Sequence, residues 1–138
     1  MKPIPETENA LVLRTDFSDQ AAWEAIRTAI QEPVGEYRAY VEFLDDPEYR
    51  DLTTDQLLEL LPEGHNHTFL IVADRMATSH PDHPLLIVDL IDDPGRTFRA
   101  IPSQIQSIEN NLSIANMDFD EFADAVDESG VFRGFPGE

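Results

Sequence analysis

The sequence contains no cysteine, and its only lysine is Lys2. Without cysteine, the chain can form neither a disulfide framework nor a thiolate metal site. Nine Lys and Arg residues stand against 28 Asp and Glu residues, which gives a formal net charge of −19. Proteins bind nucleic acid through Lys and Arg side chains that displace counterions from phosphates. A basic patch would lie here in a strongly negative field, so we expect neither nucleic acid nor an anionic membrane as a partner.

Long apolar runs are also missing, since none approaches the ~20 residues that a transmembrane helix requires. The first ten residues, MKPIPETENA, include one Lys and no apolar stretch, so no signal peptide is predicted. Hydrophobic residues nevertheless make up 41% of the 138 residues, enough for a folded core despite the high charge. We therefore expect one soluble cytoplasmic domain that spans residues 1–138, with a loose leader at residues 1–9.

The hydrophobic pattern alternates between the strand and helix periods. It predicts strands at 10–17, 36–44, 68–72, 85–91 and 96–101, and helices at 18–30, 52–61, 103–112 and 118–128. Side-chain caps are predicted at Ser18, Thr53, Ser103 and Asp118. A polar loop is expected at 76–84, and the apolar tail at 131–135 is expected to pack against the body of the domain.

This order of elements predicts the α/β class. Strand–helix alternation at the front of the chain favours parallel pairing. The Asp-Asp-Pro-Gly turn at 92–95 adds an antiparallel hairpin at one edge. We therefore expect a mixed sheet of about five strands, mainly parallel, with helices on both faces.

Several stretches of the chain are similar to one family, among them YRAYVEFLDDPEY (37–49), FLIVADR (69–75) and, most specifically, NNLSIANMDFDEF (110–122). Across about residues 10–135, the chain resembles a family of uncharacterised bacterial proteins, mostly actinobacterial, that is classed as a domain of unknown function. The resemblance implies a soluble bacterial protein with a single domain. It supplies no activity and no catalytic residue.

Acidic residues follow three of the predicted strands. Asp16 ends the first, Asp45 and Asp46 end the second, and Asp74 ends the third. If these strands are parallel, the carboxylates meet at one edge of the sheet, where open α/β proteins bind ligands. There they could hold a divalent cation such as Mg²⁺ or Ca²⁺. The alternative is structural, because Asp is common in the turns that end strands.

Two further polar patterns lie within the strands. Arg14, Arg38 and Glu42 could form a cross-strand network of ion pairs or a small pocket for an anion. Asp89 lies inside the apolar run LLIVDLI and requires a partner if it is buried, for which Arg99 is the candidate. Structural pairing is the default for Asp89, and a role as a catalytic acid is the alternative.

All four histidines fall within a short stretch, as His65, His67, His80 and His83. Their spacing is typical of a zinc site, although the two pairs are separated by a predicted strand. They would meet only if loop 76–84 turned back to the start of that strand. Solvated loop histidines are the alternative.

Two classes of function remain open. No catalytic motif is present, which favours a non-enzymatic acidic protein that binds a basic partner, as an immunity protein or an inhibitor does. Its contact face would lie in segment 42–59 or segment 118–128, and we expect no cofactor. The alternative is a small metal-dependent enzyme or ligand-binding domain that uses the strand-end acids. The candidate contact residues are Arg14, Arg38, Glu42, Asp55, Glu59, Asp120, Asp124 and Asp127.

Overall fold

The computed structural model describes residues 2–114 and 116–135. Its mixed sheet confirms the α/β class and contains six strands in the order β2-β1-β3-β4-β5-β6. Strands β1, β2 and β3 are mutually parallel, β4 is antiparallel to both of its neighbours, and β6 is parallel to β5. The strands are β1 (Ala10–Arg14), β2 (Val41–Leu44), β3 (Phe69–Ala73), β4 (Leu85–Asp89), β5 (Thr97–Ala100) and β6 (Val131–Phe132).

The prediction of β5 as an edge strand is wrong. The apolar tail at 131–135 does pack against the body of the domain, as expected, but it does so by adding β6 as a short outer strand beside β5. Two residues are too few for a periodic pattern, so β6 could not be predicted from the sequence.

Helices cover both faces of the sheet, as predicted. They are α1 (Gln20–Gln31), α2 (Thr54–Glu59), α3 (Arg75–Ser79), α4 (Ile105–Leu112) and α5 (Phe119–Ala123), with 3₁₀ turns at Pro47–Tyr49 and Pro102–Gln104. No helix among the described residues has both the length and the apolar character needed to cross a membrane.

The predicted helix caps are confirmed at Thr53 and wrong at Ser18 and Ser103. Thr53 and Gln56 form the predicted capping box at the start of α2. The prediction of Ser18 as the cap of α1 is wrong, because Asp19 accepts from the Ala22 amide at 3.0 Å. The predicted box at Ser103 is also wrong, because a 3₁₀ turn begins at Pro102 instead. Helix α5 ends at Ala123, short of the predicted residue 128.

Alternation along the strands divides the apolar side chains between two cores. In β1, Val12 lies in a first core with Trp23, Ile26 and Ile30 of α1, together with residues of α4 and α5. Leu11 and Leu13 lie in a second core on the opposite face, formed with residues of α2 and the 3₁₀ turn at Pro47–Tyr49.

The leader is anchored to the domain at Pro3 and Ile4, contrary to the prediction that residues 1–9 are loose; Met1 lies outside the described residues. Ile4 is 1% exposed and belongs to the second core. Its amide donates to the Leu60 carbonyl at 2.8 Å, and the Tyr49 hydroxyl donates to the Pro3 carbonyl at 2.7 Å. The leader therefore closes the second core beside the end of α2.

Replacement of Ile4 by Ala tests this packing. We expect the free energy of unfolding to fall by about 2–5 kcal/mol, the usual cost of truncating a buried Ile. Ile114→Ala is the matched control, because Ile114 is 74% exposed, and it should change stability by less than about 0.5 kcal/mol. Urea unfolding measures both, and equal stability of the two variants would mean that the leader is loose.

Candidate functional site

The carboxyl ends of β1, β2 and β3 meet at one edge of the sheet, because these three strands are parallel. Arg14 ends β1, and its side chain is only 3% exposed. Its guanidinium donates to the Asp16 carbonyl at 2.8 Å, to Gln20 Oε1 at 2.9 Å and to Asp45 Oδ1 at 3.2 Å. The same guanidinium lies over the Phe17 ring, 4.3 Å from its centroid. These contacts tie β1, β2 and the start of α1 together.

Asp16 is buried and connects the same edge to α3. Its carboxylate accepts from the Ser18 hydroxyl at 2.9 Å and from the Thr78 hydroxyl. Burial alone would raise the pKa of this carboxyl group, but the hydrogen bonds from Thr78 and Ser18 and the charge of Arg75 outweigh burial. The pKa of Asp16 is therefore lowered, and its charged form is stabilised.

The other strand-end acids each have a different partner. Asp45 pairs with Arg14, and Asp46 pairs with Lys2 and accepts from the Glu48 amide. Asp74 accepts from the Ala77 amide, which makes it the cap of α3, and it also pairs with Arg99. Within residues 2–114 and 116–135, no three His, Asp or Glu side chains are grouped so that they could hold a metal ion. The edge is an ion-pair network rather than a carboxylate cluster.

A crevice opens at this edge between the loop after β1 and the start of α3. It has a volume of about 240 Å³. It is lined by the buried Asp16, by Phe17 and Ser18, and by three exposed charged side chains, Arg50, Asp51 and Arg75. Asp51 has a left-handed backbone, with φ of 60°, and its amide donates to the Thr15 carbonyl at 2.8 Å. This bond holds the segment after β2 against the loop after β1.

The predicted pairing of Asp89 with Arg99 is wrong. Asp89 is buried, and its carboxylate accepts from the amides of Ile91 and Asp93, each at 3.0 Å. It therefore stabilises the turn that joins β4 to β5. Arg99 lies opposite Leu86 in the sheet and forms two hydrogen bonds to Asp74, at 3.0 and 2.7 Å.

The predicted network of Arg14, Arg38 and Glu42 does not form either. Arg14 pairs with Asp45, whereas Arg38 lies over the Tyr40 ring at 5.1 Å. Glu42 accepts from the Asn9 amide at 3.0 Å. Arg38 and Glu42 were both predicted to lie in the second strand, but β2 begins only at Val41, so Arg38 lies before it.

The histidine pairs lie at opposite ends of β3. His65 and His67 precede β3 and stack on each other with 6.0 Å between ring centroids. His80 and His83 follow α3, beyond the far end of β3. Burial and the neighbouring His65 lower the pKa of His67. The four histidines therefore do not meet in one site.

The two candidate contact segments differ in how many of their acids are neutralised. In segment 118–128, Asp120 and Asp124 both pair with Arg96. Asp127 pairs with Arg133, and hydrogen bonds from Ser129 and Arg133 hold its pKa below the usual range.

In segment 42–59, by contrast, Glu48, Asp55 and Glu59 are exposed and have no ion pair to any described residue. All three lie on elements that cover the second core. Among the described residues, segment 42–59 therefore has five acids without an ion pair (Glu42, Glu48, Asp51, Asp55 and Glu59), and segment 118–128 has three (Asp118, Glu121 and Glu128).

Two residues that organise these regions gave no clear signal in the sequence. Thr78 lies in the stretch predicted to be a loop, which in fact contains α3. Asp74 is the residue that could have indicated this helix, because Asp is a common N-cap and its carboxylate accepts from the Ala77 amide. Glu109 is buried in α4 and accepts from the Tyr40 amide at 2.7 Å, which fixes the segment before β2. Its partner lies 69 residues away, so no local pattern identifies it.

Replacement of Thr78 by Val removes the hydroxyl that bonds to Asp16 but preserves the side chain's shape. We expect the pKa of Asp16 to rise and the protein to lose about 1–3 kcal/mol at neutral pH, because a buried charge loses a donor. A lowered pKa stabilises the fold above the unfolded value of ~3.9 and loses that effect as pH falls through the folded value. The stability gained between acidic and neutral pH should therefore be smaller in the variant.

Urea unfolding from pH 2 to 7 measures this difference. The control is Thr28→Val, at an exposed position on α1, and it should leave the pH profile unchanged. A profile for Thr78→Val that matches the wild type would contradict the role of Thr78.

Comparison with known proteins assigns the chain to a family. A search of curated proteins found no match. The model of a family described as Domain of unknown function (DUF6924) matches residues 9–135, which is nearly the whole chain and agrees with the resemblance seen in the sequence. The chain therefore belongs to the DUF6924 family.

Proposed function

We propose that this protein is a non-enzymatic cytoplasmic binding protein that docks a basic protein partner, in the manner of an immunity protein or an inhibitor. The observation that carries the proposal is a set of exposed acids that form no ion pair with any described residue and that lie on neighbouring elements. This set, termed the acidic face, comprises Glu6, Glu8, Glu42, Glu48, Asp55 and Glu59, all of which are exposed.

The architecture concentrates these acids. The leader packs beside the end of α2 through the bond between Ile4 and Leu60. Asn9, at the end of the leader, bonds to Glu42 on β2. The acids of the leader, of β2 and of α2 therefore lie on neighbouring elements over the second core.

Few cations offset this charge. Lys2 pairs with Asp46, and Arg50 lines the crevice at the strand ends. Acids held on a rigid scaffold raise the association rate with a basic partner and weaken its binding as salt increases. Segment 118–128 is a weaker candidate for the contact face, because Arg96 and Arg133 pair with three of its six acids.

Matched charge removal tests which surface binds. The first variant combines Glu48→Gln, Asp55→Asn and Glu59→Gln on the acidic face. The control combines Asp120→Asn, Asp124→Asn and Asp127→Asn, so both variants lose three negative charges. Each is immobilised and exposed to proteins of the native host at low and high salt.

We expect the wild type and the control to retain the same basic protein at low salt and to release it at high salt. The variant of the acidic face should retain at least tenfold less, because each lost contact charge weakens steering and binding. Equal retention by both variants would contradict the proposal, as would retention that does not depend on salt.

A further inference from the structure

The crevice at the carboxyl ends of β1 and β3 lies where the chain changes direction across the sheet. From β1 the chain continues through α1 to β2 on one side, and from β3 it continues through α3 to β4 on the other. The loops after β1 and β3 therefore diverge. In open α/β sheets, ligands bind in the crevice formed at such a switch point.

The side chains of two arginines that line this crevice form no ion pair and no hydrogen bond with a described residue. In the described parts of the chain, Arg14, Arg96, Arg99 and Arg133 each pair with a carboxylate, and the other four arginines have no ion pair. Of these four, Arg50 and Arg75 line the crevice, whereas Arg27 and Arg38 lie outside it. An unpaired arginine is notable in a chain with 28 acids. The side chains of Arg50 and Arg75 are both exposed.

The charge of Arg75 helps to stabilise the Asp16 carboxylate, but neither acid of the crevice forms a direct ion pair with Arg50 or Arg75. Asp16 already accepts from the hydroxyls of Ser18 and Thr78. Asp51 lines the crevice, but its carboxylate forms no ion pair with either arginine. The donors of the two guanidinium groups therefore remain available to a ligand.

The residues that line the crevice are held by contacts with the body of the domain. The guanidinium carbon of the buried Arg14 lies 4.3 Å from the centroid of the Phe17 ring, and that of Arg50 lies 5.5 Å from it. The bond from the Asp51 amide to Thr15 fixes the backbone next to Arg50. Arg75 is the first residue of α3, which Asp74 and Thr78 anchor to the strand ends. Such preorganisation lowers the cost of ordering the site when a ligand binds.

We propose that this crevice binds a small oxyanion, a phosphate or carboxylate group, between the guanidinium groups of Arg50 and Arg75. Guanidinium presents its N–H donors in a planar fork that matches the oxygens of either group. Its volume of about 240 Å³ is smaller than the ~300–1,000 Å³ of ordinary small-molecule pockets, which favours a ligand as small as a single oxyanion. This site shares no residue with the acidic face, although Arg50 follows Glu48 by two residues, and it does not depend on a protein partner.

Titration of the ¹⁵N-labelled protein with inorganic phosphate and, separately, with succinate tests the proposal at constant ionic strength. We expect saturable shifts at the amides of Phe17, Ser18 and Asp51 with at least one of the two anions. Saturation with phosphate alone assigns a phosphoryl ligand, and saturation with succinate alone assigns a carboxylate ligand.

Arg50→Gln and Arg75→Gln should each weaken this binding about tenfold, as expected for loss of one charge-assisted contact. Arg38→Gln is the control, because Arg38 is exposed, has no ion pair with a described residue, and lies over Tyr40 outside the crevice. Its affinity should equal that of the wild type. An absence of saturable shifts with both anions would overturn the proposal, and so would an equal loss of affinity in all three variants.

Discussion

The buried guanidinium of Arg14 is the interaction on which the candidate site depends. Removing a charge from water costs several kcal/mol unless the group is fully bonded. Here the cost is offset by hydrogen bonds to the Asp16 carbonyl, Gln20 and Asp45, and by stacking on Phe17. Asp16 follows β1, Asp45 follows β2 and Gln20 begins α1, so one side chain joins the ends of two strands to the start of a helix. Asp16 extends the network to α3 through Thr78.

The charged residues near this network fall into three groups: paired acids at the strand ends, unpaired acids near α2, and two unpaired arginines at the crevice. Asp45 and Asp74 neutralise buried or half-buried arginines at the strand ends, so their carboxylates serve the fold. The acids around α2 have no such partner, which leaves a negative surface on one side of the sheet. Arg50 and Arg75 remain at the crevice with no carboxylate paired to them among the described residues. The net charge of −19 is thus unevenly distributed: the acidic face carries only negative side chains, whereas the crevice combines two carboxylates with two arginines.

Local patterns were sufficient to predict the sheet-forming strands β1 to β5 and the longer helices. Trp23, Ile26 and Ile30 recur at the helical period, and the capping box at Thr53 fixes the start of α2. Short elements escaped prediction, because α3 has five residues and β6 has two. The leader escaped because a single buried residue, Ile4, anchors it and gives no periodic pattern.

Side-chain pairing was the least predictable feature, because it depends on strand register. Arg99 lies opposite Leu86, three residues along β4 from Asp89 and therefore about 10 Å away. A hairpin shifted by a few residues would have made the predicted pair. The position of the crevice could be predicted, because it lies at the carboxyl ends of the parallel strands β1 and β3, but the two arginines that line it could not. Its arginines come from segments whose packing no local pattern specifies.

The central claim is that Arg14 is locked at the strand ends by bonds that persist as long as the fold. Hydrogen exchange of its Nε–H, followed by NMR, tests this claim most directly. We expect the Nε–H of Arg14 to exchange as slowly as the amides of β1, and the Nε–H of the exposed Arg38 to exchange rapidly. Equally rapid exchange of the two protons would show that Arg14 opens to solvent without unfolding, and would contradict the account.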